Sequence, residues 1–382
     1  MKKKTIHNTP YYSWRTGDLA KGCRHCVKGE KLVLFITGLC SRRCDFCPVS
    51  DKKLYKDVTY ANEMQTTNIK QIIQEAKLCS AEGAGITGGD PLIKIQNTCS
   101  AIRKLKKEFG KDFHIHLYAP LKLLNAKKLK KLHSAGLDEI RFHPDFEKPS
   151  EWNKLNLAKD YDWDVGVEIP VIPGKEKSIL GLIYYIKDKV DFLNLNELEL
   201  ADNAAWREKK NIKCKDELSY AIKGSDELAK KLLETCANIG LRTHYCTCKL
   251  KDKVQLAKRI KRRAQNIKQK FDIVTNEGMI IRGAVYLPEL KPGFSYHDKL
   301  NKLNDKLKKE EKRKILNNLE SIKKKLIKQE KIPKDMIAVD KEKLRLITSK
   351  TIVKKIKTKL LPKAIVTEYP TFDALEMEVE FI

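Results

Sequence analysis

No run of about 18 apolar residues occurs anywhere in the 382-residue chain, so no segment is built to cross a membrane as a helix. The basic opening MKKKTIHNTP is not followed by an apolar core, so it does not read as an export signal, and a soluble cytoplasmic protein is expected. Aromatic residues make up only 7% of the chain, which leaves few platforms for stacking bases, and no recognised RNA-binding signature or fixed-period repeat is present. Acidic residues are the minority: 50 Asp plus Glu face 78 Lys plus Arg, for a net charge of +28. The excess is uneven, because residues 251–361 hold 33 basic and 13 acidic residues while the last 21 residues hold 1 and 5. One reading is a surface for a polyanion such as nucleic acid. The other is a Lys-rich composition displayed on solvated helix faces, as at Lys127–Lys131.

Cysteine, in contrast, is plentiful. Eleven thiols in a reducing compartment argue for metal or redox chemistry rather than a disulfide framework. Cys40, Cys44 and Cys47 are spaced C-x3-C-x2-C, Cys23 and Cys26 form C-x2-C, and Cys246 and Cys248 form C-x-C. Cys79, Cys99, Cys214 and Cys236 stand alone, three of them in helical patterns, and read as packing residues.

Apolar runs of strand type at residues 31–38, 83–89, 113–119, 139–143, 165–172 and 192–198 alternate with helical patterns at 68–81, 93–109, 126–135, 152–160 and 178–187. Strand followed by helix, repeated, predicts parallel pairing through right-handed crossovers, hence an α/β sheet or partial barrel with its chemistry at the C-terminal strand ends. A helix over 217–238 and a strand over 241–245 close this unit. A basic helix is expected over 253–270, a hairpin around Asn276-Glu277-Gly278, and a long Lys-dense helix over 297–329 before a mixed tail. The division expected is 1–30, an extension carrying the C-x2-C pair; 31–250, the barrel; and 251–382, a basic α+β region.

The first strand leads into Gly38-Leu-Cys40-Ser-Arg-Arg-Cys44-Asp-Phe-Cys47-Pro48. Three thiolates within eight residues suit an iron-sulfur cluster held at three corners with one iron open. Structural zinc is the alternative, with Cys23 or Cys26 supplying a fourth ligand. The segment resembles the signature of the radical S-adenosylmethionine (radical SAM) superfamily, met by Cys40, Cys44, Phe46 and Cys47. One β-α unit later, Thr87-Gly88-Gly89-Asp90-Pro91 looks like the family's Gly-Gly-Glu-Pro element with Asp in place of Glu, and the likeness covers about residues 31–245. It implies a partial (β/α)6 barrel and a [4Fe-4S] cluster on Cys40, Cys44 and Cys47. S-adenosylmethionine (AdoMet) would chelate the open iron, with backbone around Gly88, Gly89 and Asp90 meeting its amino group. Reductive cleavage to a 5'-deoxyadenosyl radical would draw on an external donor of ferredoxin or flavodoxin type. More narrowly, GCRHCVKGEKLVLFITGLC, DEIRFHP, GVEIPVIPG and EYPTFDALEMEVE look like an archaeal family of uncharacterised radical SAM proteins related to pyruvate formate-lyase activating enzyme, across nearly the whole chain.

Polar residues punctuate the remaining strands. His114 with His116, Arg141 with His143, and Asn194 with Asn196 each share a sheet face, while Glu197 and Glu199 take the opposite parity. Glu168 sits inside an apolar run, where a carboxylate needs a partner. Glu168, Asn194 and Glu197 are therefore the candidate catalytic residues, and Phe46, Gly88, Gly89, Asp90, His116 and Arg141 the candidate cofactor contacts. A closed barrel would bring Cys23 and Cys26 beside Cys246 and Cys248, to hold an auxiliary iron-sulfur cluster or a zinc ion, with His25 and His244 in reserve.

The sequence KRIKRRAQNIKQK over 258–270, with Arg259, Arg262 and Arg263, points to phosphate contacts and hence to modification of tRNA or another RNA. A protein or peptide substrate is the second expectation. The third is a non-catalytic, zinc-stabilised nucleic-acid-binding protein, against which the Gly88-Gly89 pair speaks.

Overall fold

Strands that place apolar residues on one parity and polar residues on the other bury two different faces, and this habit organises the molecule. The computed structural model describes residues 2–201, 204, 212–217, 219–304 and 309–382. The chain divides into two compact units, Met1–Arg259 and Ile260–Ile382.

The first unit opens with the hairpin β1 (Ile6–Thr9) and β2 (Ser13–Thr16), followed by helix α1 (Lys21–Cys26), β3 (Lys31–Phe35), β4 (Thr59–Ala61), β5 (Met64–Thr66) and α2 (Ile69–Leu78). It continues through β6 (Gly83–Thr87), α3 (Ile95–Phe109), β7 (His114–Pro120), α4 (Ala126–Ser134), β8 (Glu139–His143), a 3-10 helix over Pro149–Ala158, β9 (Asp164–Val171) and α5 (Glu176–Ile186). Then come β10 (Phe192–Glu197), α6 (Ser225–Asn238), β11 (Thr243–Cys246), α7 (Cys248–Leu250), a π-turn over Lys251–Leu256 and α8 (Ala257–Ile267). The sheet order is β1-β2-β11-β10-β9-β8-β7-β6-β3-β4-β5. From β11 to β3 every neighbouring pair is parallel, so the expected α/β partial barrel is present.

Leu32 and Leu34, Ala84 and Ile86, Ile115 and Leu117, Ile140 and Phe142, Val167 and Ile169, and Leu193 and Leu195 form one fully buried core with the helices. The opposite parity carries His114, His116, Glu139, Arg141 and Asn194, all nearly inaccessible. A parallel sheet covered on both faces normally reads as continuous apolar strands, so a buried polar face has been given other work. Asn68 and Asn125 start α2 and α4 by accepting the amides of Gln71 and Lys128 at 3.1 and 2.9 Å.

Three helices depart from expectation. The helix expected from residue 217 begins at Ser225, because Gly224 at φ 87° breaks the chain direction; Leu218 lies outside the described residues. Residues 149–158 wind as a 3-10 rather than an α-helix, and the helical path leading into the basic segment begins earlier, at Cys248.

The second unit is an antiparallel sheet of order β14-β15-β13-β16-β17, with β12 paired to β13. Its strands are β12 (Ile273–Val274), β13 (Ile280–Val285), β14 (Ile337–Asp340), β15 (Arg345–Thr348), β16 (Lys363–Glu368) and β17 (Glu376–Phe381). Gly278, at φ 90°, turns the expected hairpin, which pairs Ile273 with Ile281. The long Lys-dense helix is instead described as α9 (Tyr296–Asn304) and α10 (Lys309–Gln329), followed by α11 (Lys350–Lys355); residues 305–308 lie outside the described residues. Ala284, Tyr286, Leu319, Leu346 and Val366 are part of its core. Among the described residues, no helix is long and apolar enough to cross a membrane.

Candidate active site

The loop after β3 is held by the end of β6. Gly89 donates its amide to Thr37 O and Asp90 to Leu39 O, both at 2.8 Å. A Cβ on Gly88 would lie 2.6 Å from Thr37 O, and one on Gly89 would lie 2.4 Å from Leu39 O, so this backbone approach admits only glycine. With those two amides occupied, no donor among the described residues meets the Gly88 or Gly89 carbonyl. The Asp90 side chain is fully buried, accepting from Ser41 Oγ at 2.7 Å and Leu92 N at 3.0 Å, and burial pushes its pKa up. Arg42 latches the loop to the far side by donating to His143 O at 3.0 Å and pairing with Asp145 at 3.3 Å.

A cavity of about 530 Å³ opens at these strand ends, within the roughly 300–1,000 Å³ of small-molecule sites. Cys40, Cys44, Cys47, Phe46, Gly88 and Gly89 line one side; Tyr118, His143, Glu168, Asn196, Glu197 and Glu199 line the other, with Lys251. Burial pushes all three thiols up, Cys44 to about 11, so only a bound cation would hold them together as thiolates. Three thiols lining one cavity, with glycine carbonyls beside them that no donor among the described residues meets, fit an iron cluster with AdoMet.

Glu168 forms the floor. Its Oε2 accepts from Arg141 and from Asn194, each at 2.8 Å, and its Oε1 accepts from Asn196 at 2.9 Å. Burial works against its charge, but Arg141 and the two amides outweigh burial and hold the carboxyl below its ordinary pKa. Arg141 also donates to Glu139 at 2.5 Å, Tyr118 at 3.1 Å and Cys23 Sγ at 3.4 Å. Glu139 in turn accepts the Gly22 amide at the start of α1, at 2.9 Å. Burial, with Arg141 beside it, pushes the His116 pKa far down, leaving a neutral ring whose Nδ1 has no hydrogen-bond partner among the described residues.

Of the residues singled out in the sequence, Phe46, Gly88, Gly89, Glu168, Glu197 and the three loop cysteines line the cavity. Asp90, His116, Arg141 and Asn194 do not line it; Arg141 reaches it through Glu168 and Tyr118, and Asn194 through Glu168. Glu197 is buried at the rim, where it accepts the Cys248 amide at 2.9 Å. Tyr118 escaped notice although it continues the His114, His116 parity. Lys251 gave no signal, since it opens a basic run; it reaches the site because a π-turn starts there, and it donates to Glu199 at 3.0 Å.

The radical SAM superfamily model matches residues 34–163. A protein of Methanocaldococcus jannaschii, provisionally named a glycyl-radical enzyme activating enzyme, is 40% identical over 370 residues, covering 94% of this chain and 92% of that protein. Among solved structures, SuiB of Streptococcus suis bound to the precursor peptide SuiA is 12% identical at a TM-score of 0.41, over 57% of this chain and 48% of that one. Methylornithine synthase is 14% identical at a TM-score of 0.40, over 60% of this chain and 79% of its own. This chain thus spans less than half of the S. suis protein. Identity to the M. jannaschii protein along almost the whole length, with the cysteine loop inside the matched span, makes this chain a member of the radical SAM superfamily, an enzyme whose cofactors are a [4Fe-4S] cluster and AdoMet.

Proposed function

We propose that this enzyme uses its radical to abstract hydrogen from a polypeptide. The observation that carries the reading is the chemistry of the site's outer wall. A second cavity, of about 830 Å³, shares Pro48, Ser50, Glu197 and Glu199 with the first. Among the described residues, its lining holds the carboxylates of Asp51, Glu197, Glu199, Asp216 and Asp252 against the ammonium groups of Lys215, Lys249 and Lys253. That balance disfavours a phosphate backbone and suits a peptide segment. The name of the M. jannaschii relative agrees with it.

The RNA reading has lost two of its three arginines. Arg259 is buried and forms a bidentate pair with Glu63 at 2.6 and 3.1 Å, and Arg263 is buried with its guanidinium on Pro370 O. A non-catalytic zinc module does not fit a radical SAM enzyme.

In this mechanism Cys40, Cys44 and Cys47 would hold the cluster, and the Gly88 and Gly89 carbonyls would receive the AdoMet amino group. When bound and reduced, these cofactors would supply radical chemistry able to take a hydrogen atom from a substrate carbon. Glu168, kept ionised by Arg141, Asn194 and Asn196, accepts a hydroxyl or amide N–H and fixes its donor over the cavity floor. Phe46 closes the wall against water, and Glu197 holds the rim through the Cys248 amide. An external donor of ferredoxin or flavodoxin type would supply the electron.

The test is 5'-deoxyadenosine release by anaerobically reconstituted protein with dithionite and AdoMet, with RNase-treated cytosolic protein or purified tRNA added. Release stimulated by the protein fraction, with an organic-radical EPR signal on a polypeptide, is the expected result. Stimulation by tRNA alone overturns the reading.

A further inference from the structure

Beneath the cavity floor lies a second group of thiols that the reaction above does not use. Cys23 and Cys26 are three residues apart on α1 and therefore share a helix face. Cys246 ends β11, in register with Asn196 of β10, and packs in one apolar cluster with Val27, the residue after Cys26. The three sulfurs lie within electrostatic reach of one another. Cys23 and Cys246 are both buried. Arg141 and Asn194 each donate to Cys23 Sγ at 3.4 Å, and Gln255 approaches Cys246 Sγ at 3.9 Å. Charge of both signs flanks the group: Arg141 and Lys31 act on Cys26 and Lys251 on Cys246, while Glu168 acts on all three and Glu139 on Cys23. Burial pushes all three thiols up, as it does those of the cysteine loop, so here too a bound cation is what would hold them together as thiolates.

One residue pair before Cys246, on the same face of β11, His244 is buried with its Nδ1 unpartnered among the described residues, while Nε2 meets Ser13 Oγ at 3.2 Å. A buried nitrogen without a partner is an independent sign that something is bound there.

The separations choose between metals. Four ligands on one zinc ion stand about 3.8 Å apart, given a Zn–S bond of about 2.3 Å. Among the described residues, the three-ligand group lying within 4.8 Å of one another is His25, Glu30 and Glu82, not these sulfurs. Wider spacing is what a cluster requires, since each thiolate binds a different iron.

We infer that Cys23, Cys26 and Cys246 hold an auxiliary [4Fe-4S] cluster under the active cavity, joined to it through Arg141, Asn194 and Glu168. Cys248 is excluded. Thr247 caps α7 by accepting the Leu250 amide at 3.0 Å, and this turns Cys248 out of line with Cys246 and into the outer cavity beside Glu199. The assignment is independent of which substrate the enzyme takes.

The experiment is iron, sulfide and zinc analysis with EPR on full-length protein reconstituted anaerobically. Wild type should carry about eight irons, the content of two four-iron clusters. The triple variant Cys23→Ala, Cys26→Ala, Cys246→Ala should keep about four, with an EPR signal that AdoMet still perturbs. The complementary variant Cys40→Ala, Cys44→Ala, Cys47→Ala should also keep about four, with a signal that AdoMet does not perturb. Cys248→Ala should match wild type. The single change Cys246→Ser, checked for native circular dichroism, keeps the test valid if the triple variant misfolds, and should lose iron in the same way. Wild type with about four irons, one zinc per chain that vanishes with Cys246, or equal iron loss from Cys248→Ala would each overturn the assignment.

Discussion

Among the described residues, the most deeply buried arginine is Arg141 in the first unit and Arg345 in the second, and the networks around the two have opposite meanings. Arg345 is enclosed by its own sheet. Its guanidinium meets Asp340 at 3.0 Å, Glu376 at 3.4 Å, Tyr286 at 3.3 Å and Glu368. Asp340 and Arg345 are register partners across β14 and β15, as are Glu368 and Glu376 across β16 and β17, so the network closes on the strands that supply it. Arg141 meets Glu139, Glu168, Tyr118 and Cys23, and two of these, Glu168 and Tyr118, face a cavity. Burial of charge is common to both. What distinguishes a working network from a structural one is whether its members leave an atom facing open space.

The sharpest break between the units is chemical. Cys44→Ala should reduce 5'-deoxyadenosine release to the cofactor-free background while leaving the melting curve unchanged. Retained release would remove the cluster from this loop. Next in size come the arginines. Arg345→Met takes the shared guanidinium from Asp340, Glu368 and Glu376, leaving Glu368 to Arg282 and Glu376 to Lys343, and should cost about 3–5 kcal/mol in urea unfolding, with AdoMet cleavage per folded molecule retained. Arg141→Met should cost a similar amount and also reduce cleavage, because Glu168 loses the charge that keeps it ionised. Normal stability with lost cleavage in Arg345→Met would erase the contrast.

Much of this was readable in advance, for definite reasons. The parallel strands announced themselves because period-2 alternation survives wherever one face meets helices. Glu168 stood out because a carboxylate inside an apolar strand must be satisfied somewhere. The meeting of Cys23 with Cys246 followed from closing a barrel, whereas the departure of Cys248 did not, since it depends on Thr247 ending the strand and starting a helix. The partners of Arg259 were invisible for another reason. Glu63 lies 196 residues away, and a basic helix looks equally solvated whether or not one of its arginines is buried.

Two smaller changes sharpen the comparison within the cavity. Glu168→Gln keeps the shape and removes the charge. It should reduce turnover about 10–100-fold, or roughly 1.4–2.7 kcal/mol, with iron content retained, while Glu368→Gln in the other network leaves turnover unchanged. Gly89→Ala puts a methyl group 2.4 Å from Leu39 O and forces the cysteine loop to shift. The expected result is AdoMet affinity weaker by about tenfold, within the roughly 1–3 kcal/mol typical of overpacking, and an unchanged affinity would show that the loop is free to move.

The smallest expected effect bears on the charge excess that first suggested nucleic acid. If buried arginines in α8 are structural, Arg259→Ala should cost about 1–2 kcal/mol through loss of the bidentate pair with Glu63, seen as a thermal midpoint lower by a few degrees. It should not change how tRNA association varies with salt, because a guanidinium committed to a carboxylate releases no phosphate counterions. The control is Lys261→Ala, at an exposed position of the same helix, which removes a charge without removing a partner. A logarithmic salt slope that falls by about 0.9 in Arg259→Ala would mean that the guanidinium leaves Glu63 for a phosphate. Buried charge in α8 would then resemble Arg141 rather than Arg345, and the distinction drawn between the two networks would fail at its most economical test.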